Sequence, residues 1–428
     1  MNPANHPAAP GRQRWRLPLA LAITVVIAYL DRINITLAMP LIAAQYGWND
    51  AQMQDYGSLL MSLFYVGYGF SGLLLSPWAA RIGPRKGITL VIALASLFTA
   101  LGAIFSQFLL LFMASRVMLG VVEGPHYPLS GMAIRNWFPA AERSRANSLF
   151  MAGLFTSVIA GPLLLVPLMD SFGWRATFVV LALAGFAISL PLINRYVFTH
   201  PAQDPRLGAK ERDWIELAQQ AVPGETAEQT GAGPLAAYPL YLVRRRDFQW
   251  LFLAGTLNNM VALGLMSWIP TFFTTVMGAE FSSLSWIAAL PYLSGLLGLA
   301  FWSQVGDRLN QRGLAAGIGY LFVAALMYVS LTGTELTPTL IAMSLAVFSI
   351  SAFTACEYAF AQRVVPQEHV AAGVGLYNGG AMIVGGGLGP FVASSILEPG
   401  GGFSLWLLIA LALCTSASMI YLGRRLNY

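Results

Sequence analysis

Charged residues are scarce in this sequence, at 10% of its 428 residues, whereas a soluble globular domain carries about 25%. Hydrophobic residues reach 57%, so the composition excludes a soluble domain and indicates an integral membrane protein. There are only two cysteines and four histidines, and none has the spacing of metal ligands. We therefore expect no metal site, and we expect Cys356 and Cys414 to be small buried hydrophobic residues. No basic run is interleaved with aromatics, which argues against a nucleic-acid partner.

Long apolar runs are the main feature that is present. A helix needs about 20 apolar residues to cross the hydrocarbon of a bilayer, and by that measure the sequence contains twelve spans. Their predicted positions are 17–44, 58–79, 88–106, 108–133, 146–168, 174–197, 248–277, 281–303, 313–332, 336–362, 370–397 and 402–423. The pattern predicts an all-α membrane protein with six-helix bundles at 1–197 and 248–428. Between them, 198–247 is predicted to be a linker that includes a short surface helix at 208–221.

Basic residues are unevenly distributed between the predicted loops. If both termini are cytoplasmic, 21 of the 24 Lys and Arg residues lie in inner loops and only Arg175 lies in an outer one. This is the bias that the positive-inside rule describes. We expect a multi-pass protein of the inner (plasma) membrane, with both termini and the linker in the cytoplasm.

Five charged residues lie inside predicted spans: Asp31 and Arg32 in the first, Arg116 and Glu123 in the fourth, and Glu357 in the tenth. A charge at the bilayer centre costs at least ~2.5–3.5 kcal/mol, so such residues indicate function by default. Arg116 and Glu123 are seven residues apart and share a helix face about 10 Å apart. The alternative, for Asp31 with Arg32 and for Arg116 with Glu123, is a static interhelical ion pair that fixes helix packing.

The residue types suggest how an anion and a proton could be linked. An arginine that faces a cavity can hold a carboxylate through two charge-assisted hydrogen bonds. A low dielectric favours the protonated form of an acid, whereas a nearby arginine favours its charged form. Protonation of Asp31 or Glu123 can therefore be coupled to whether Arg32 or Arg116 is free to hold an anion.

Other polar residues in the spans leave two interpretations open. Glu357 is suited to substrate contact, or to an inner gate or a solvated vestibule. His126 could relay a proton or act as a structural hydrogen-bond donor. Asn258, next to Asn259, could contact a ligand or form an interhelical hydrogen bond. The glycines at 385–387 lack the Lys-Ser/Thr of a phosphate loop, which favours close packing or a flexible gate.

Several short motifs occur in a fixed order along the chain. They are Tyr29 to Asn34, the segment that ends at Tyr68, Arg116 to Pro128, Arg135 to Arg143, Gly173 to Phe178, Trp268 to Pro270, Asn378 to Gly380 and Gly389 to Pro390. Similar basic turns follow the second span, at Arg81 and Arg85, and the eighth, at Asp307 and Arg308. The ordered set resembles the major facilitator superfamily and, within it, the anion:cation symporters that carry sugar acids and other organic anions.

The resemblance implies a non-enzymatic carrier that imports an organic anion with protons by alternating access between two bundles. The proton gradient would drive it without a cofactor, and its partners would be the anion, protons and the lipid bilayer. We expect a monomer. The implied proton sites are Asp31 and Glu123. The expected substrate-binding residues are Arg32, Arg116, Tyr29, Tyr68, Tyr358 and Asn378. Arg81, Arg85, Asp307 and Arg308 would belong to gating loops.

Two positions depart from the family pattern. Ala80 stands where the first inner loop usually carries an acid, and Glu357-Tyr358 stands where an aromatic or small residue is common.

One alternative function is a proton-coupled exporter of hydrophobic or cationic compounds, in which Glu357 would be the substrate acid. The other is a non-transporting sensor of the same fold.

Overall fold

The computed structural model describes residues 11–220, 240–309, 311–366 and 370–427. Within these ranges, twelve helices are long and apolar enough to cross a membrane, which confirms the predicted number. These helices, called spans 1 to 12 below, are Gln13–Tyr46, Asp50–Leu74, Pro84–Ile104, Leu109–Trp137, Arg145–Phe172, Trp174–Tyr196, Arg246–Thr275, Phe281–Gly306, Arg312–Thr332, Leu336–Val364, Gly373–Leu397 and Gly402–Leu426. The chain is therefore a multi-pass membrane protein.

Spans 1–6 pack mainly on one another, as do spans 7–12. The two sets meet where span 2 packs on span 11, span 5 on span 8 and span 1 on span 7. At the end of the bundle away from the termini, the carbonyl of Pro390 accepts two buried hydrogen bonds. One comes from Ser58 Oγ at 3.1 Å and the other from Trp268 Nε1 at 2.8 Å. The bond from Ser58 of span 2 joins the two sets of helices at this end, whereas the bond from Trp268 lies within the second set.

Three spans contain irregular backbone near their middle. Span 4 consists of Leu109–Glu123 and His126–Trp137, because Pro125 between them has no amide hydrogen to continue the helix ladder. Span 6 widens into a π-helix at Gly185–Ser189, and span 11 does so at Met382–Gly386. Such π-helical turns frequently occur at functional sites.

The first part of the predicted linker forms the expected helix, at Ala209–Gln220. One face of this helix is docked on the first half of the protein. Glu211 is buried and accepts a hydrogen bond from Arg14 Nη1 at 2.7 Å, while Arg14 Nε pairs with Glu142 at 2.9 Å. Most of the rest of the predicted linker, 221–239, lies outside the described residues.

The two cysteines have different environments. Cys356 is buried as expected, but Cys414 is exposed on the surface of span 12, so the expectation of burial was wrong for it. Lipid tails are as apolar as a protein core, so hydrophobicity alone does not show which face of a membrane helix is buried.

Candidate functional site

Four of the five intramembrane charges lie together in spans 1 and 4, where these helices approach span 2. Arg32 Nη2 donates to Glu123 Oε2 at 3.0 Å, which forms an ion pair between span 1 and span 4. Arg32 Nη1 donates to the Tyr29 hydroxyl at 3.2 Å. The Glu123 side chain is 3% exposed and that of Arg32 is 10% exposed. Because little water screens the pair, its attraction is stronger than that of a surface pair.

Aromatic rings surround the Arg32 guanidinium. Its carbon lies 4.5 Å from the ring centroid of Tyr29, 4.8 Å from that of Phe64 and 4.6 Å from that of Tyr68. The negative ring faces attract the cation and stabilise it away from bulk water. This arrangement brings the predicted residues Tyr29 and Tyr68 to one place.

Arg116 differs from Arg32 in having no close anionic partner among the described residues. Its side chain is 1% exposed, and its Nε and Nη2 have no hydrogen-bond partner there. The Phe64 ring centroid lies 5.6 Å from its guanidinium carbon. A buried donor without a partner is costly, so the empty donors of Arg116 indicate a position for a ligand or water.

Asp31 contacts span 3 and not this aromatic group. Its Oδ2 accepts a hydrogen bond from the Thr99 hydroxyl of span 3, whereas its Oδ1 has no partner among the described residues. Arg116 and Arg32 both act on it electrostatically, but neither forms an ion pair with it. Asp31 is thus near two cations while one of its oxygens remains available.

Among these four charges, the ion pair that forms is an interhelical one. Arg32 pairs with Glu123 instead of its neighbour Asp31, because adjacent residues of a helix point about 100° apart. Arg116 and Glu123 are separated by nearly two turns and make no ion pair. The charge pairing therefore joins two helices and depends on how they pack.

Sequence reasoning missed two residues of this site. Phe64 contacts both arginines, and its position four residues before Tyr68 places it on the same helix face, which is a usable signal. Thr99 binds Asp31 but lies in an otherwise unremarkable apolar segment, so nothing in the sequence pointed to it.

The fifth intramembrane charge, Glu357, belongs to a separate polar group in the second half. Its Oε1 accepts a hydrogen bond from the Tyr377 hydroxyl of span 11 at 2.7 Å. Tyr320 of span 9 donates to Asn258 Oδ1 of span 7, and Asn258 Nδ2 donates to Asn259 Oδ1 at 3.2 Å. Asn258 thus forms an interhelical hydrogen bond, which is one of its two expected roles. Tyr377 was missed, although it directly precedes the predicted residue Asn378.

The π-helix of span 11 lies between the two polar groups. A Cβ atom at Gly385 would lie 2.5 Å from the carbonyl oxygen of Thr256 in span 7, and one at Gly386 would lie 2.9 Å from Cβ of Tyr65 in span 2. Side chains cannot be accommodated at such separations. These two glycines serve close packing, one of the two interpretations of the Gly-rich segment.

The other predicted residues are placed as follows. Asn378 is half-buried in span 11, and the side chains of Tyr358 and Asp307 lie outside the described residues. Arg81 and Arg308 are exposed, while Arg85 donates to the Asn194 carbonyl at 2.8 Å. The gating roles of these loop residues stay predictions.

His126 lies three residues after Glu123, in the first turn after the break in span 4. It is 3% exposed, and its Nε2 has no hydrogen-bond partner among the described residues. This nitrogen is therefore not engaged as a structural contact.

Similarity to known proteins is extensive at low identity. The chain is 26% identical over 306 residues to the probable chloroplastic anion transporter 1 of Oryza sativa, which covers 71% of this chain and 55% of that protein. It thus spans about half the length of that relative. It is 24% identical over 430 residues to the D-galactonate transporter of Escherichia coli O6:H1, with 97% and 96% of the two chains covered.

Among solved structures, the fold is similar to that of a bacterial homologue of the human lysosomal transporter Spinster. The TM-score is 0.77 at 17% identity, and the match covers 97% of this chain and 98% of that one. Residues 21–390 match the Major Facilitator Superfamily. This match covers most of the chain, so the protein belongs to the Major Facilitator Superfamily, a family of transporters and not of enzymes.

Proposed function

We propose that this protein imports an organic anion, such as a sugar acid or another carboxylate, together with protons. The transport is secondary active: the proton gradient drives alternating access, and no cofactor takes part. The proposed location is the inner membrane, with both termini in the cytoplasm, because that orientation places most basic residues inside.

The observation that carries this proposal is the empty donor set of buried Arg116. A guanidinium presents a planar fork that matches the two oxygens of a carboxylate, and it stays charged at any accessible pH. The Nε and Nη2 atoms, which have no partners among the described residues, form one edge of that fork. A substrate carboxylate would satisfy both donors at once. The similarity to a D-galactonate transporter supports a sugar acid as the first substrate class to test.

Charge balance gives a reason for proton coupling. Asp31, Glu123, Arg32 and Arg116 together sum to zero when all are ionised. An arriving monovalent carboxylate would leave one uncompensated negative charge in a low-dielectric site, which is costly. A proton on Glu123 or Asp31 restores neutrality. Protonation of Glu123 would also weaken its hold on Arg32 and free that arginine for the substrate.

The test is uptake into proteoliposomes, with a substrate first selected by a thermal-shift screen of D-galactonate and other carboxylates. We expect Asp31→Asn and Glu123→Gln to lose accumulation driven by an imposed pH gradient while they retain counterflow exchange. Glu357→Gln is the matched control. Glu357 forms no ion pair with the described residues, and a glutamine oxygen can still accept the Tyr377 hydrogen bond.

The variants of Asp31 and Glu123, compared with Glu357→Gln, show which half of the protein contains the proton-coupling site. If Asp31→Asn and Glu123→Gln still concentrate substrate when the gradient is applied, these acids do not carry the proton. If Glu357→Gln alone loses accumulation, the coupling site lies in the second half of the protein. No uptake of any carboxylate by the wild type would contradict the proposed substrate class.

A further inference from the structure

A cavity of about 30 Å³ lies in the first half of the protein, between spans 1, 3, 4 and 6. Its wall is apolar on several sides, but polar side chains also line it. They include Asp31, Ser96, Thr99, Glu123, His126 and Ser189. The anion site proposed at Arg116 does not include this cavity, because Arg116 is not among its lining residues.

Four polar atoms of these side chains are buried and have no hydrogen-bond partner among the described residues. They are Asp31 Oδ1, Glu123 Oε1, His126 Nε2 and Ser189 Oγ. Buried polar groups are nearly always satisfied by protein or by ordered water. Four unsatisfied groups around one cavity therefore indicate that water occupies it, since a dry cavity is lined by apolar groups.

The two acids each use one oxygen elsewhere. Glu123 binds Arg32 through Oε2, and Asp31 binds Thr99 through Oδ2. The other oxygen of each acid, Oε1 or Oδ1, has no partner among the described residues. Both residues line the same cavity, so a short row of water molecules could join these two oxygens.

The backbone of span 6 helps to keep this space open. Its π-helix, Gly185–Ser189, forms part of the wall, and both of its end residues line the cavity. A Cβ atom at Gly185 would overlap Ser96 Oγ, so spans 3 and 6 are in direct contact at this part of the wall. Glycine at this position therefore allows spans 3 and 6 to approach without filling the space between Ser96 and Ser189.

We propose that this cavity is a water site that passes protons between Glu123 and Asp31, apart from the path of the anion. The role rests on the proposed proton coupling. In each transfer, an acid O–H bond breaks as a water O–H bond forms, and that water releases another hydrogen to the second carboxylate. Among the described residues, the charged or titratable groups around the two acids are Arg32, Arg116, Tyr68 and His126. Spans 3 and 6 contribute only hydroxyl groups to the polar lining.

The first experiment fills the cavity without changing either acid. Ala95 lines the cavity, so Ala95→Leu would displace water from it. Ala93 on the same helix does not line it, so Ala93→Leu adds the same bulk as a matched control. In proteoliposomes, we expect Ala95→Leu to slow substrate-driven proton influx and net uptake at least tenfold. Counterflow should remain within about twofold of wild type, because exchange needs no net proton release, and Ala93→Leu should leave all three rates unchanged.

If the rates of Ala95→Leu match those of Ala93→Leu, the proposal is overturned. If Ala95→Leu loses counterflow as well, a high-resolution map of the wild-type protein decides. Ordered water between Asp31 Oδ1 and Glu123 Oε1 would support the site, and a dry cavity would overturn it. A wild-type protein that moves no protons with its substrate would contradict the proposed function, whereas the same map would still test the water site.

Discussion

At the scale of single residues, the two intramembrane arginines have different environments although they lie close together. Arg32 is held by Glu123, Tyr29 and the faces of two further rings. Arg116 is more deeply buried and has donors without partners among the described residues. A side chain that is already paired must release its partner before it binds a ligand, whereas Arg116 can bind directly. We therefore assign first contact with the anion to Arg116.

Replacing Arg116 tests this assignment. We expect both Arg116→Ala and Arg116→Lys to weaken substrate binding at least about tenfold, because a hydrogen bond to a charged group contributes ~1.5–3 kcal/mol. Lysine keeps the charge but cannot present two parallel donors. Isothermal titration of the purified variants measures the affinity. The control is Arg145→Lys, which changes an exposed arginine at the start of span 5. Near-wild-type affinity in Arg116→Lys would show that Arg116 serves packing.

At the scale of helices, the site depends on the close approach of spans 2 and 4. Gly120 lies one turn after Arg116, and a Cβ atom there would overlap the backbone carbonyl of Phe64. Gly67 similarly faces the carbonyl of Val117, whose oxygen would lie 2.6 Å from a Cβ atom at that glycine. Glycines on both helices thus bring Phe64 close enough to contact both arginines. Small residues have this role at many membrane helix interfaces.

A single added methyl group tests this packing. We expect Gly120→Ala to lower stability by about 1–3 kcal/mol, the usual cost of overpacking, and to weaken substrate binding. Gly131→Ala in the same span is the matched control, because nothing lies within 4 Å of a Cβ atom there. Its thermal unfolding midpoint should equal or slightly exceed that of wild type, since alanine favours helix. Equal midpoints for the two variants would contradict the close-packing argument.

At the scale of the whole molecule, the start of span 1, the end of span 12 and the helix Ala209–Gln220 share one side of the membrane, because the described residues form twelve spans and six of these precede that helix. The basic residues are concentrated on that side. The hydrogen bond from Ser58 of span 2 to the Pro390 carbonyl of span 11 lies at the opposite end. In the proposed orientation, the two halves are therefore joined on the outer side.

Cysteine labelling of intact spheroplasts tests this orientation. In a background without Cys356 and Cys414, we expect a cysteine at position 228 of the linker to react with a membrane-impermeant reagent only after the membrane is opened. A cysteine in place of Glu280, in the exposed turn between spans 7 and 8, should react from outside. Labelling with the reverse pattern would overturn the proposed topology.

The sequence by itself determined the number of spans and the identity of the charges within them. A fixed hydrocarbon thickness sets the length of each apolar run, and the cost of burying a charge makes each exception conspicuous. Asp31, Arg32, Arg116, Glu123 and Glu357 could therefore be found without a structure. The polar linker could be found too, but not the burial of Glu211 against Arg14, because the two residues are 197 positions apart.

Only the tertiary structure decided which of these groups meet. Arg116 and Glu123 share a helix face, yet the ion pair forms between Arg32 and Glu123 because packing brings spans 1 and 4 within 3.0 Å at those atoms. Asp31 accepts a hydrogen bond from the Thr99 hydroxyl, and Glu357 accepts one from the Tyr377 hydroxyl. Helical periodicity specifies directions around one axis, but it carries no information on the distance to a neighbouring helix. The charged groups form a site only because the helices pack at that distance.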